Sequence, residues 1–159
     1  MSTKPPIPRE PPPDAPEGTV WYGGPVDQWK VTLRVFGDDL DPDPDHISTL
    51  LGCQPSSARK KGDPYPRTGR WLLSIDSKYC GDNADVEDGF RMLLERLPPN
   101  GSTWSSLTSQ YRVDVSCGLF LASSNRGFGL SSELSGLLSE RNLDIGFDIY
   151  AASPAPPPY

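Results

Sequence analysis

The densest fixed charge in the chain lies between Gln54 and Trp71, where Arg59, Lys60, Lys61, Arg67 and Arg70 are opposed by Asp63 alone. Side chains of these types at this density bind anions. Arginine does so with paired N–H bonds to carboxylate or phosphate, lysine as a point charge. Trp71 ends the segment with an aromatic surface suited to anchoring a ligand or a partner. Arg59, Lys60, Lys61, Asp63, Arg67, Arg70 and Trp71 are therefore the expected ligand- or partner-binding residues. The competing reading is a solvated basic loop. The stretch Ser56 to Asp63 has the lysine and glycine of a phosphate loop but lacks its G-x-x-x-x-G-K-S/T spacing.

Other chemistries have fewer of the residues they need. His46 is the single histidine and could act as a general base, but it stands beside Asp45 and reads as a surface residue. Zinc would need further His or Cys ligands near it. A serine hydrolase would have to use this same histidine, and no G-x-S-x-G elbow accompanies it. Asp38, Asp39, Asp41, Asp43 and Asp45 alternate in a way that could hold calcium, but the central glycine and closing glutamate of an EF-hand loop are missing, so turn formation and helix capping account for the run. Cys53, Cys80 and Cys117 are widely spaced and odd in number. They read as structural free thiols in a reducing, cytoplasmic setting. The terminal Pro156-Pro157-Pro158-Tyr159 fits the P-P-x-Y pattern of WW-domain ligands, a match that arises easily in proline-rich tails. The expectation is a protein without catalysis, cofactor or metal.

Net charge is -6, yet the segment from Gln54 to Trp71 is itself +4, leaving the remainder strongly acidic. Nucleic-acid binding in general needs a broad basic face, which this balance argues against. A local anion site or a protein partner stays in play. No apolar run has signal-peptide or membrane-span length, so no membrane association is expected.

These residues must be positioned by a body that the prolines delimit. Seven of the 19 prolines fall in residues 1–18 and four in 154–158. Residues 1–18 and 153–159 read as disordered proline-rich ends, and 19–152 as one domain large enough to bury about two-thirds of its surface. Trp29 to Phe36 alternates apolar and polar like a half-buried strand. Asp43 and Pro44 open a short helix with Ile47, Leu50 and Leu51 inward, closed by Gly52. Residues 53–68 form a short strand or an ordered loop, and Gly69 to Ile75 a second strand. A helix capped near Asn83 carries Val86, Phe90, Leu93, Leu94 and Leu97 on one face and stops at Pro98-Pro99. A loop holding Trp104 and Leu107 follows, then a strand from Tyr111 to Leu121. A helix from Ser132 to Arg141 and a strand from Asp144 to Ala151, with Ile145, Phe147 and Ile149 inward, complete the domain. This order predicts an α+β fold: a four- to five-stranded, mainly antiparallel or mixed sheet with helices on one face, ferredoxin-like in style.

Several of these pieces, taken in order, resemble a family. Lys30-Val31-Thr32-Leu33-Arg34-Val35-Phe36-Gly37, then Leu50-Leu51-Gly52 and Pro55, look like its opening. Lys61-Gly62-Asp63 and Arg67-Thr68-Gly69-Arg70-Trp71 look like its centre. Ser116-Cys117-Gly118, Leu143-Asp144 and Asp148-Ile149-Tyr150 look like its close. The family is the bacterial and phage domain of unknown function 4279. The resemblance implies a fold, marks the segment from Lys61 to Trp71 as a hallmark, and carries no activity.

The leading functional expectation is a non-catalytic protein-binding module, such as an immunity protein or a phage-encoded inhibitor. Its acidic surface would steer it to a basic partner. The alternatives are a small-anion or nucleotide-binding domain centred on residues 59–71, and a phage structural component.

Overall fold

The structure is a computed structural model that describes residues 14–17, 24–37, 40–62, 68–122 and 126–151. Most of the proline-rich ends expected to be disordered thus lie outside the described residues. In chain order the elements are β1 (Gln28–Phe36), α1 (Pro44–Leu51), β2 (Ser57–Arg59), β3 (Arg70–Asp76), a 3-10 turn (Ser77–Tyr79), α2 (Val86–Glu95), α3 (Gly101–Gln110), β4 (Arg112–Phe120), α4 (Ser132–Glu140) and β5 (Asp144–Tyr150).

Local chemistry sets most boundaries. Asp43 caps α1 by accepting the Asp45 N–H, Pro44 takes the first turn, and Gly52 ends it in the left-handed region. The cap of α2 is Asp85 rather than Asn83: Asp85 and Asp88 exchange backbone–carboxylate hydrogen bonds in a capping box. Ser131 caps α4 through the Leu134 N–H. The expected loop around Trp104 is helix α3. Its sequence, GSTWSSLTSQ, is poor in helix formers, but Trp104 and Leu107 are fully buried one turn apart and Asn100 caps the start. Packing therefore outweighs propensity.

The strands form one mixed sheet in the order β2-β3-β1-β4-β5. All pairs are antiparallel except β4 with β5, which run parallel. The first four strands have the succession and order of a ferredoxin-like sheet, and β5 extends it. Odd-numbered side chains of β1, β3 and β4, among them Trp29, Leu33, Trp71, Leu73, Val115 and Leu119, are buried under the helices. The helices contribute Ile47, Leu51, Phe90, Leu93, Trp104, Leu107, Leu134 and Leu138 to the same core. Ile145, Phe147 and Ile149 share that side by register, but β5 is the sheet edge, and Phe147 and Ile149 are exposed rather than inward as expected.

Gly89 lets α2 lie close to the sheet, because a Cβ there would fall 2.3 Å from Cζ3 of Trp29. A buried carboxylate ties α2 to α4: Glu87 accepts from Arg91 Nη2 (2.8 Å), from the Ser131 N–H (2.7 Å) and from Ser131 Oγ (2.8 Å). Among the described residues no helix is long and apolar enough to cross a membrane. The opposite face of the sheet is half-buried to exposed, and this is where the charged groups collect.

An arginine row on the open sheet face

Strand register turns the open face into cross-strand rows. The first row is Arg59, Arg70, Phe36 and Arg112, drawn from β2, β3, β1 and β4. The second is Ser57, Leu72, Arg34, Asp114 and Asp144. Ser74, Thr32, Ser116 and Gly146 follow, then Asp76, Lys30, Gly118 and Asp148. The last row has Gln28, Phe120 and Tyr150. Neighbours within a row stand about 5 Å apart. Three arginines thus share the first row with one phenylalanine, Arg70 and Arg112 on the strands flanking Phe36 and Arg59 one strand further out.

Arg34 is neutralised. Its Nε and Nη2 donate to the two Asp114 oxygens at 2.6 and 2.9 Å, and this pairing raises its pKa further. Arg34 and Arg112 also lie 5.5 and 5.2 Å from the centroid of Phe36, so the ring orients both. Arg59, Arg70 and Arg112 form no ion pair among the described residues. Among the described residues, the Nε atoms of Arg59 and Arg70 are buried without a hydrogen-bond partner. A buried N–H left unmatched costs about 1–3 kcal/mol, more on a charged group, so both guanidiniums hold their charge without a compensating bond at Nε. Every side chain of the row is either arginine or phenylalanine. It can hold and orient an anion, and it has no group that titrates near neutral pH.

Two contacts fix the approach to the row. The Asp41 carboxylate accepts the Gly69 N–H at 2.7 Å, seating the chain just before Arg70. Gly69 is itself wedged: a Cβ there would lie 2.8 Å from the Pro42 carbonyl and 2.9 Å from that of Arg59. A side chain at this position would push β2 and β3 apart.

Of the residues expected to bind, Arg59 and Arg70 come together in the row. Lys60 turns the other way, to α1, where Nζ lies 3.0 Å from Asp45 and 3.9 Å from Asp43. The hydrogen bond to Asp45 raises its pKa. Lys61 is exposed in the turn that follows, and Asp63 and Arg67 lie outside the described residues. Trp71 corrects the expectation of a surface anchor. It is fully buried, with its indole N–H donating to Ser48 Oγ at 3.0 Å, because it points to the opposite face from its neighbour Arg70. Phe36 and Arg112 were not anticipated. Strand alternation places each on the outward face, but their meeting depends on register, which single-strand patterns do not contain.

His46 is exposed on α1. Burial raises the thiol pKa of Cys53 and Cys80 and pushes Cys117 up to about 12, so all three stay protonated at neutral pH. No group of three or more His, Cys, Asp or Glu able to hold a metal occurs among the described residues. A cleft of about 650 Å³ lies at the other end of β1, lined by residues including Trp29, Ser77, Lys78 and Asn83.

The family model described as Domain of unknown function (DUF4279) matches residues 27–152. No curated protein and no solved structure matches the chain.

Proposed function

Because the chain belongs to the family of that domain of unknown function, which brings no chemistry to transfer, we propose its role from the surface itself: a non-catalytic module that binds a partner protein by holding an acidic segment on the row of Arg59, Arg70, Phe36 and Arg112. The supporting observation is that Arg59 and Arg70, cross-strand neighbours, and Arg112 beyond Phe36 form no ion pair among the described residues, where the Nε–H groups of the first two are also buried and unmatched.

Three features favour a protein over other anions. The row belongs to a broad open sheet face, whereas small ligands favour concave sites. The rows below it carry Asp76, Asp114, Asp144 and Asp148, which repel a nucleic-acid backbone tracking across the sheet. At the far end of the face, about 27 Å away along the strands, Phe120 stacks on Tyr150 at 4.8 Å with both rings exposed. A cationic anchor at one end and an aromatic one at the other fit the width of a standard protein interface. An immunity protein or a phage-encoded inhibitor would work in this way, covering a partner without chemistry.

The test is capture from the native host with the wild-type chain and with Arg70→Glu/Arg112→Glu, at low and high salt. The expected result is a stoichiometric partner held by the wild type at low salt and lost in the double variant. A partner retained by that variant would refute the reading. A thermal-shift screen with nucleotides and phosphorylated metabolites probes the small-anion alternative. Stabilisation that disappears in Arg70→Glu would make the ligand a small anion instead.

A further inference from the structure

We propose that the free edge of β5 is a strand-addition site for a partner segment that alternates apolar and basic residues. This surface is distinct from the arginine row. It rests on protein binding as the mode of action and not on the row itself. β5 pairs only with β4 among the described residues and forms the sheet edge over seven residues, Asp144–Tyr150. The Leu121 N–H donates to the Tyr150 carbonyl at 2.9 Å, so the even-numbered residues of β5 direct their backbone groups at β4. By alternation, the N–H and C=O groups of Ile145, Phe147 and Ile149 point outward, with no strand partner among the described residues.

A long, regular edge strand is a ready template for another strand unless it is blunted by proline, charged side chains or a bulge. β5 reads DIGFDIY, with no proline or bulge, and its charges are Asp144 and Asp148, which deter a second acidic strand but not a basic one. The two faces beside the edge differ sharply. On the helix side, Phe147 and Ile149 are 39% and 64% exposed, with Phe128 packed against the Phe147 ring at 5.2 Å between centroids. On the open side stand Asp144 and Asp148, which form no ion pair among the described residues. An added strand sends alternate side chains to these two faces. Apolar residues would pack on Phe147 and Ile149, and lysine or arginine would meet Asp144 and Asp148. Charge complementarity thus selects the occupant, and the chain's net charge of -6 steers such a segment inward.

The experiment titrates the isotope-labelled full chain with a capped peptide of alternating valine and lysine, and with its valine–glutamate counterpart. The lysine peptide is expected to slow hydrogen exchange at the amides of Ile145, Phe147 and Ile149, and the glutamate peptide to leave them unchanged. Asp148→Lys, an exposed substitution, should weaken the lysine peptide at least about tenfold, since it reverses a charge about 5 Å from the peptide's cation. Arg70→Glu/Arg112→Glu should leave lysine-peptide binding intact, so failure here and failure of the row are told apart. The proposal is overturned by equal protection with both peptides, or by none with either. It is also overturned if the three amides gain protection with protein concentration alone, which would make a second copy of the chain the occupant.

Discussion

Replacing Asp114 with asparagine should strengthen the hold of the sheet face on an acidic ligand. Asp114 lies in the row directly below Arg112 on the same strand and face, two residues along, or about 7 Å away. A carboxylate bound at Arg112 therefore feels like-charge repulsion from Asp114. At 7 Å this is about 0.6 kcal/mol with solvent between the charges, and about 2 kcal/mol where the protein surface lowers the effective dielectric. Removing that charge, and freeing Arg34 from its bidentate partner, should raise affinity for a glutamate-rich peptide by at least about threefold at low salt. The gain should fade at high salt as screening shortens the range. The same substitution weakens a half-exposed ion pair, with an expected stability loss of about 1 kcal/mol. Isothermal titration of both proteins with the peptide, paired with urea unfolding, separates the two effects. Unchanged or weaker peptide binding by Asp114→Asn, with the fold intact, would refute the electrostatic reasoning.

Two further predictions concern the scaffold. Gly89→Ala gains up to about 1 kcal/mol of helix propensity but puts a methyl group 2.3 Å from the buried Trp29 ring. Overpacking should win, with a net loss of about 2 kcal/mol in urea unfolding; a stabilised variant would contradict the packing. Glu87→Gln should cost about 2 kcal/mol at pH 7, because Arg91 and the Ser131 N–H lose a charged acceptor. Burial alone would raise the Glu87 pKa, but the hydrogen bonds from Arg91 and Ser131 outweigh it and hold the carboxyl below its ordinary value. Its contribution is therefore complete above an unfolded pKa of about 4.3 and lost as pH falls through the folded value. The gap between wild type and Glu87→Gln should narrow at acid pH, and a constant gap would rule out the ionised carboxylate as its source.

The sheet was legible wherever side chains alternate cleanly. In β1 the order Trp29, Val31, Leu33, Val35 against Lys30, Thr32, Arg34 gives both the strand and its buried face. α2 was equally plain, since Phe90, Leu93, Leu94 and Leu97 recur at helical spacing, although its cap moved two residues. α3 was hidden because serine, threonine and glycine dominate it, and its helicity depends on burying Trp104 and Leu107. The site was legible in part. Charge density found Arg59 and Arg70 but also gathered Lys60, which serves α1, and Trp71, which serves the core. Proximity in sequence is not proximity in space, because a strand sends neighbouring residues to opposite faces. Arg112 and Phe36 join the row from strands far apart in the chain, through a pairing register that no local pattern encodes.

The most direct measurement follows the arginine side-chain Nε–H signals of the labelled chain during titration with a six-residue glutamate peptide. The signals of Arg59, Arg70 and Arg112 should shift together, saturably and less at high salt, while the paired Arg34 moves little. Shifts centred on Lys61 and its turn, or no change at Arg59 and Arg70, would contradict the row as a binding site.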